Sequence, residues 1–280
     1  MAQLVEHHLA KVRVAGSNPV VRSIRIVSRA PVLRRLGSIA AALVLAASLL
    51  VACGGESRYD VVVAAASDTR DAFVEIAAFA NAEFGMDVGF VFGSSGLLRE
   101  QVIAGAPYDV YVSANDTYVD HVVRAGFGVP ASRWEFAEGR LAVISADGIG
   151  LPGEVSELGA SSRLVIANPS HAPYGVAARE ALQRLGLWGA LEQRVVLADN
   201  VADAVRVVRA GEADAGIVAL SLVLDGPHLL VDDALHDPIR QSLVITTHGS
   251  SNPAARTFIE VLGSAEGRSI LRRYGFTVKP

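Results

Sequence analysis

Val61-Val62-Val63-Ala64-Ala65-Ala66-Ser67-Asp68-Thr69 joins an unbroken apolar run to three small polar residues. Six apolar residues with no alternation predict a strand buried on both faces, and Ser-Asp-Thr is the chemistry of a helix start. The helix that follows is predicted over Ala72 to Phe84. Phe73, Ile76, Ala77 and Ala80 recur there at helical spacing, and Gly85 stops it. A fully buried strand feeding a helix is the unit of an α/β fold.

The same unit recurs outward from this point. Asp87–Phe92 alternates and reads as a strand, Gly93-Ser94-Ser95-Gly96 turns into a helix through Ile103, and Asp109–Val112 precedes a helix from Asn115 to Arg124. A second series begins at Leu141–Ile144 and continues with Leu164–Ala167, a helix from about Tyr174 to Leu185, and Val195–Leu197. It ends with a helix Val201–Ala210 and a strand Ala215–Ala219. Ser242–Thr246 is a late strand, followed by helices near Pro253–Leu262 and Ala265–Tyr274. These series predict two lobes, each a mostly parallel sheet flanked by helices, with a ligand cleft between them at the strand ends. The first lobe is placed at 59–140 plus 242–280 and the second at 141–241, divided by a break near 138–141.

The leader is read apart from the fold. Arg34 and Arg35 precede an apolar run, Ile39 to Ala52, that closes on Leu50-Val51-Ala52-Cys53. This is the layout of an export signal. Leu-Val-Ala-Cys resembles a bacterial lipobox, which implies lipidation of Cys53, anchorage to the membrane through lipid only, and residues 54–58 as a tether. The alternative is an incidental thiol; as the single cysteine, Cys53 makes no disulfide within the chain. Residues 1–31 form a long basic lead, and Ala2–Ser23 resembles a translated transfer-RNA gene, so the true start is expected near Val32.

The leader, residues 1–53, holds 7 of the 25 Lys and Arg and 1 of the 29 acidic residues. The rest carries 18 basic against 28 acidic groups, a formal charge of −10. A body so acidic is a poor nucleic-acid binder and attracts no anion by its bulk field. Any anion site must therefore work through local dipoles. The strand-to-helix junctions supply them: Ser67, Ser94 and Ser95, His171 to Gly175, and Asn200-Val201. Each helix start offers amides without intrahelical acceptors and the positive end of a dipole. Taken singly, each junction reads as an ordinary N-cap ahead of a ligand contact.

The set of segments carries more than its members. Ala64–Ser67, Phe92–Gly96, Ala104-Gly105-Ala106-Pro107 with Asp109–Ala114, and Ala167–Gly175 resemble the periplasmic molybdate-binding proteins of ABC importers. So do Gly211–Val218 and Arg273-Tyr274-Gly275-Phe276. The resemblance spans about Tyr59 to Lys279. It implies the type II periplasmic binding protein fold, and an exported receptor that takes molybdate or tungstate and hands it to the permease of an ABC importer. It further implies no catalysis, no cofactor and a monomer. Carried over by position, Ser67 and Ser95 give hydroxyl and amide donors, and Tyr174 and Val201 give amide donors.

Two positions depart from the family. Some members place a tyrosine hydroxyl on the anion where this chain has Ala219, so either one donor is missing or the Tyr174 side chain replaces it. Asp68 stands where the family has an uncharged residue; it is expected to face away and cap the helix beginning near Arg70. A ring of donors with no acceptor rejects protonated anions such as hydrogen phosphate. The alternatives are a receptor for another tetrahedral anion such as sulfate, or an enzyme on a similar two-lobe fold such as porphobilinogen deaminase. That enzyme requires an internal cysteine. No His pair has metal-ligand spacing, so a bare-cation site is not expected.

Overall fold

Val61–Ala66 forms β1, with Val61, Val63, Ala64 and Ala65 wholly buried, as a central parallel strand requires. The structure is a computed structural model that describes residues 59–161 and 163–278; the leader, Cys53 and the tether through residue 58 lie outside the described residues. A single 3-10 turn, Ser67–Thr69, leads from β1 into α1 (Arg70–Phe84), which Gly85 ends in the left-handed conformation at φ 63°. Next come β2 (Val88–Gly93), α2 (Ser95–Ile103), β3 (Val110–Ser113), α3 (Asp116–Arg124) and β4 (Trp134–Gly139).

The second series is β5 (Leu141–Ser145), β6 (Leu164–Ala167), α4 (Pro173–Arg184), the short α5 (Trp188–Leu191), β7 (Val195–Ala198), α6 (Val201–Arg209), β8 (Ala215–Ala219) and β9 (Leu229–Leu230). The chain then returns through β10 (Ile239–Ile245), α7 (Pro253–Gly263), α8 (Ala265–Arg273) and β11 (Thr277–Val278).

Two sheets result. Their strand orders are β11-β4-β10-β3-β1-β2 and β7-β6-β8-β5-β9. Both are mixed. β1 runs parallel to β2 and β3, whereas β10 is antiparallel to β3 and β4. In the other sheet β6 is parallel to β7 and β8, whereas β5 is antiparallel to β8 and β9. The parallel half of each sheet carries the βα units. The antiparallel half needs no crossover helix, which is why its strands leave a weaker trace in the sequence.

β4 shows this, since its apolar alternation lasts only from Trp134 to Phe136 and its pairing partner is about a hundred residues away. β10 begins at Ile239, three residues before the expected Ser242, because Ile239–Gln241 pair with β4 rather than with β3. Arg140 alone separates β4 from β5, and the chain crosses back over residues 231–238.

Each sheet has its own core. Phe73, Phe90, Phe136 and Phe258 meet at ring distances of 5.8–6.2 Å on one face of the first sheet. Leu141, Leu164, Ile166, Leu182 and Ile217 fill the second lobe and are almost wholly buried.

Candidate functional site

Five strand-to-helix junctions meet at one small cavity. From the first lobe come Ala66, Ser67 and Asp68 at the end of β1, Gly93, Ser94 and Ser95 at the end of β2, and Ala114 after β3. From the second come Ala172, Pro173 and Tyr174 at the start of α4, and Asn200 and Val201 at the start of α6. The cavity encloses about 190 Å³ of empty space. The wall contains no Lys, Arg or His. Ser67, Ser95, Tyr174 and Val201 are all in it, and each is at most 4% exposed.

The two serine hydroxyls are already oriented. Ser95 Oγ accepts the Ala114 N–H at 3.1 Å, and Ser67 Oγ accepts the Ala202 N–H at 3.4 Å across the lobes. A hydroxyl that accepts from an amide keeps its own proton free for another acceptor. Ser95 is fixed a second time, because the buried Tyr111 hydroxyl donates to its carbonyl at 2.7 Å; burial raises the pKa of that phenol. Tyr174 and Val201 sit in the first turns of α4 and α6, where amides lack intrahelical acceptors. Asn200 caps α6 through its side-chain oxygen, which accepts the Asp203 N–H at 3.0 Å. α4 can approach because Gly175 has no side chain; a Cβ there would stand 1.9 Å from the Ala167 carbonyl oxygen.

The lobes touch beside the cavity. The His171 carbonyl accepts both the Gly96 N–H at 2.8 Å and the Ser94 hydroxyl at 2.6 Å, while Ser94 Oγ also lies 2.8 Å from His171 Nδ1. Ser221 Oγ donates to the Asp68 carbonyl at 2.7 Å. Nothing in the sequence distinguished Ser94 as a clasp from Ser95 as a cavity donor.

Asp68 corrects an expectation. It does not cap α1, whose first turn receives no side-chain hydrogen bond. The residue is 1% exposed, and its Oδ2 accepts Gln241 Nε2 from β10 at 2.7 Å. The Tyr174 hydroxyl lies beside both, although its alignment falls short of a formed hydrogen bond with either. Burial raises the Asp68 pKa to about 7, opposed by Tyr174, its own backbone amide and Gln241. Burial, then the Asp68 charge, raises the Tyr174 phenol well above its ordinary value. The wall is therefore not free of acceptor residues, as the donor-ring argument assumed. The Tyr174 ring is turned toward Gly139, where an added Cβ would lie 2.0 Å from its hydroxyl oxygen.

Residues 61–277 match the family described as bacterial extracellular solute-binding protein. The molybdate-binding protein ModA of Rhodobacter capsulatus is 33% identical over 253 residues, covering 88% of this chain and 97% of its own length. The chain belongs to the ModA family. The ModA protein of Azotobacter vinelandii is 34% identical over 239 residues, covering 81% of this chain and 93% of its own. The solved periplasmic molybdate-binding protein of A. vinelandii superposes with a TM-score of 0.74 at 28% identity, covering 79% of this chain and all of that one. The ModA fold, two mixed sheets flanked by helices, is the one described above. The family is one of solute-binding proteins, which excludes the enzyme alternative.

Proposed function

We propose that the protein captures molybdate, or its tungstate analogue, outside the cytoplasm and delivers it to the permease of an ABC importer. The observation that carries the reading is the meeting of helix starts from both lobes at one buried cavity whose wall has no cationic side chain. A tetrahedral dianion suits such a site. Its four oxygens accept in diverging directions, and partial charges at helix N-termini stabilise it without a counter-ion. Ser67 and Ser95 give hydroxyl protons, and Tyr174 and Val201 give amides. Ser67 and Ser95 come from the first lobe and Tyr174 and Val201 from the second, so the anion stabilises the closed arrangement by binding it better than an open one.

The side chain of Tyr174 is turned toward Gly139 and Gln241, which favours its amide as the donor and leaves Ala219 without a hydroxyl substitute. Lipidation of Cys53 would hold this receptor at the membrane surface; two acyl chains anchor firmly where one binds reversibly. The receptor acts as a monomer, with the permease as its macromolecular partner.

The test is a thermal-shift panel of molybdate, tungstate, sulfate, phosphate and chromate. Molybdate and tungstate are expected to raise Tm, with stabilisation of about 2.7 kcal/mol at a hundredfold excess over Kd. Stabilisation by sulfate alone would transfer the assignment to a sulfate receptor.

A further inference from the structure

We propose that oxyanion capture by this protein is coupled to the uptake of one proton at the Asp68 carboxyl. The inference rests on the oxyanion reading above and adds a second ligand, the proton, to the same site.

The geometry leaves Asp68 no other route to neutrality. It follows Ser67 in the chain and belongs to the cavity wall, yet it is buried, and among the described residues no cation faces it. Every charged group on the neighbouring elements is otherwise engaged or distant from the carboxyl. α1 presents Arg70 and Asp71, which pair with each other at 2.8 Å near the surface. α6 presents Asp203 and Arg206, paired in the same way. The 220–222 turn contributes Ser221, β10 contributes Gln241, and α4 contributes Tyr174. His171 lies beside the cavity, held on Ser94. Among these, only Tyr174 both titrates and acts on the Asp68 carboxyl, and its effect is that of a hydrogen-bonding hydroxyl.

The surroundings accept either protonation state. Gln241 Nε2 donates to the carboxylate at 2.7 Å, while Gln241 Oε1 is buried without a partner. Turning the amide over puts that oxygen where the nitrogen stood, and the same contact then receives the proton of a neutral carboxyl. The Tyr174 hydroxyl, also unpartnered, is close by and can turn to donate to the charged form or accept from the neutral one. Arrival of a dianion next to this group penalises only the charged form. Molybdate and tungstate bind through their oxygens and remain dianions near neutral pH, so the proton is taken up by the protein. The group titrates at about pH 7 before the anion arrives, which places the effect in the physiological range.

The experiment is calorimetric titration of the whole protein with molybdate at pH 6, 7 and 8, in buffers of differing ionisation enthalpy. Uptake of about half a proton per anion is expected at pH 7, approaching one at pH 8, with affinity about tenfold weaker at pH 8 than at pH 6. Asp68→Asn is expected to abolish both the uptake and the slope. Molybdate binding without proton uptake overturns the inference, as does uptake that persists in Asp68→Asn, which would assign the proton to another group. Absence of molybdate binding at every pH overturns the oxyanion reading, and the inference with it.

Discussion

Asp68 shows how a single buried carboxyl can influence both stability and binding. Its pKa rises from 3.8 to about 7 on folding, so between those values the folded chain holds a proton that the unfolded chain releases. Stability therefore falls as pH rises from about 4 to 7 and then levels off. Asp68→Asn removes the titration while keeping a polar partner for Gln241. The variant is expected to be more stable above pH 7, by on the order of 3 kcal/mol, with less than half of that gain at pH 5. Urea denaturation at pH 5 and pH 8 measures the difference; an equal gain at both would refute the titration.

At this scale the sequence was readable where function follows from position. The junctions where a strand hands over to a helix were visible in the sequence, but Ser67, Ser95, Tyr174 and Val201 could be singled out among them only through the family resemblance. Gln241 could not, because it gains meaning only by lying opposite Asp68, 173 residues away.

Elements follow the same division. The βα units announce themselves through buried runs, caps and stops, so β1 and β6 with the helices after them, and β8, fall within a few residues of expectation. β4, β9 and β11 were missed: they are short or weakly patterned and are defined by antiparallel partners remote in sequence. The most exacting contact between elements is that of α2 with the segment before α4. Gly96 passes so near His171 that a Cβ would stand 2.7 Å from its carbonyl oxygen, a backbone atom that cannot swing aside. Gly96→Ala is expected to push the lobes apart at the clasp and weaken molybdate binding about tenfold. The helical residues themselves should remain folded, since alanine suits a helix better than glycine. Calorimetry with far-UV circular dichroism checks this; unchanged affinity would show that the clasp plays no part in closure.

The described residues form two mixed sheets, each with its own main hydrophobic cluster, linked through Arg140 and residues 231–238, with the cavity lined from both. The two sheets were legible from the two series of strands and helices. The degree of closure was not, because it depends on contacts such as Ser94–His171 and Ser221–Asp68 that no local pattern encodes.

A receptor built this way has an unusual relation to its surroundings. Its proposed site would stabilise a dianion through oriented dipoles, while residues 54–280 carry a formal charge of −10. Approach is thus uphill until the anion reaches the mouth. Dissolved salt shortens that repulsion, with a Debye length of about 30 Å at 0.01 M and about 8 Å at 0.15 M. Stopped-flow mixing should therefore show molybdate entering faster as sodium chloride is added, the reverse of the trend for a cation-lined trap. Fresh water would slow filling, and a brackish medium would hasten it.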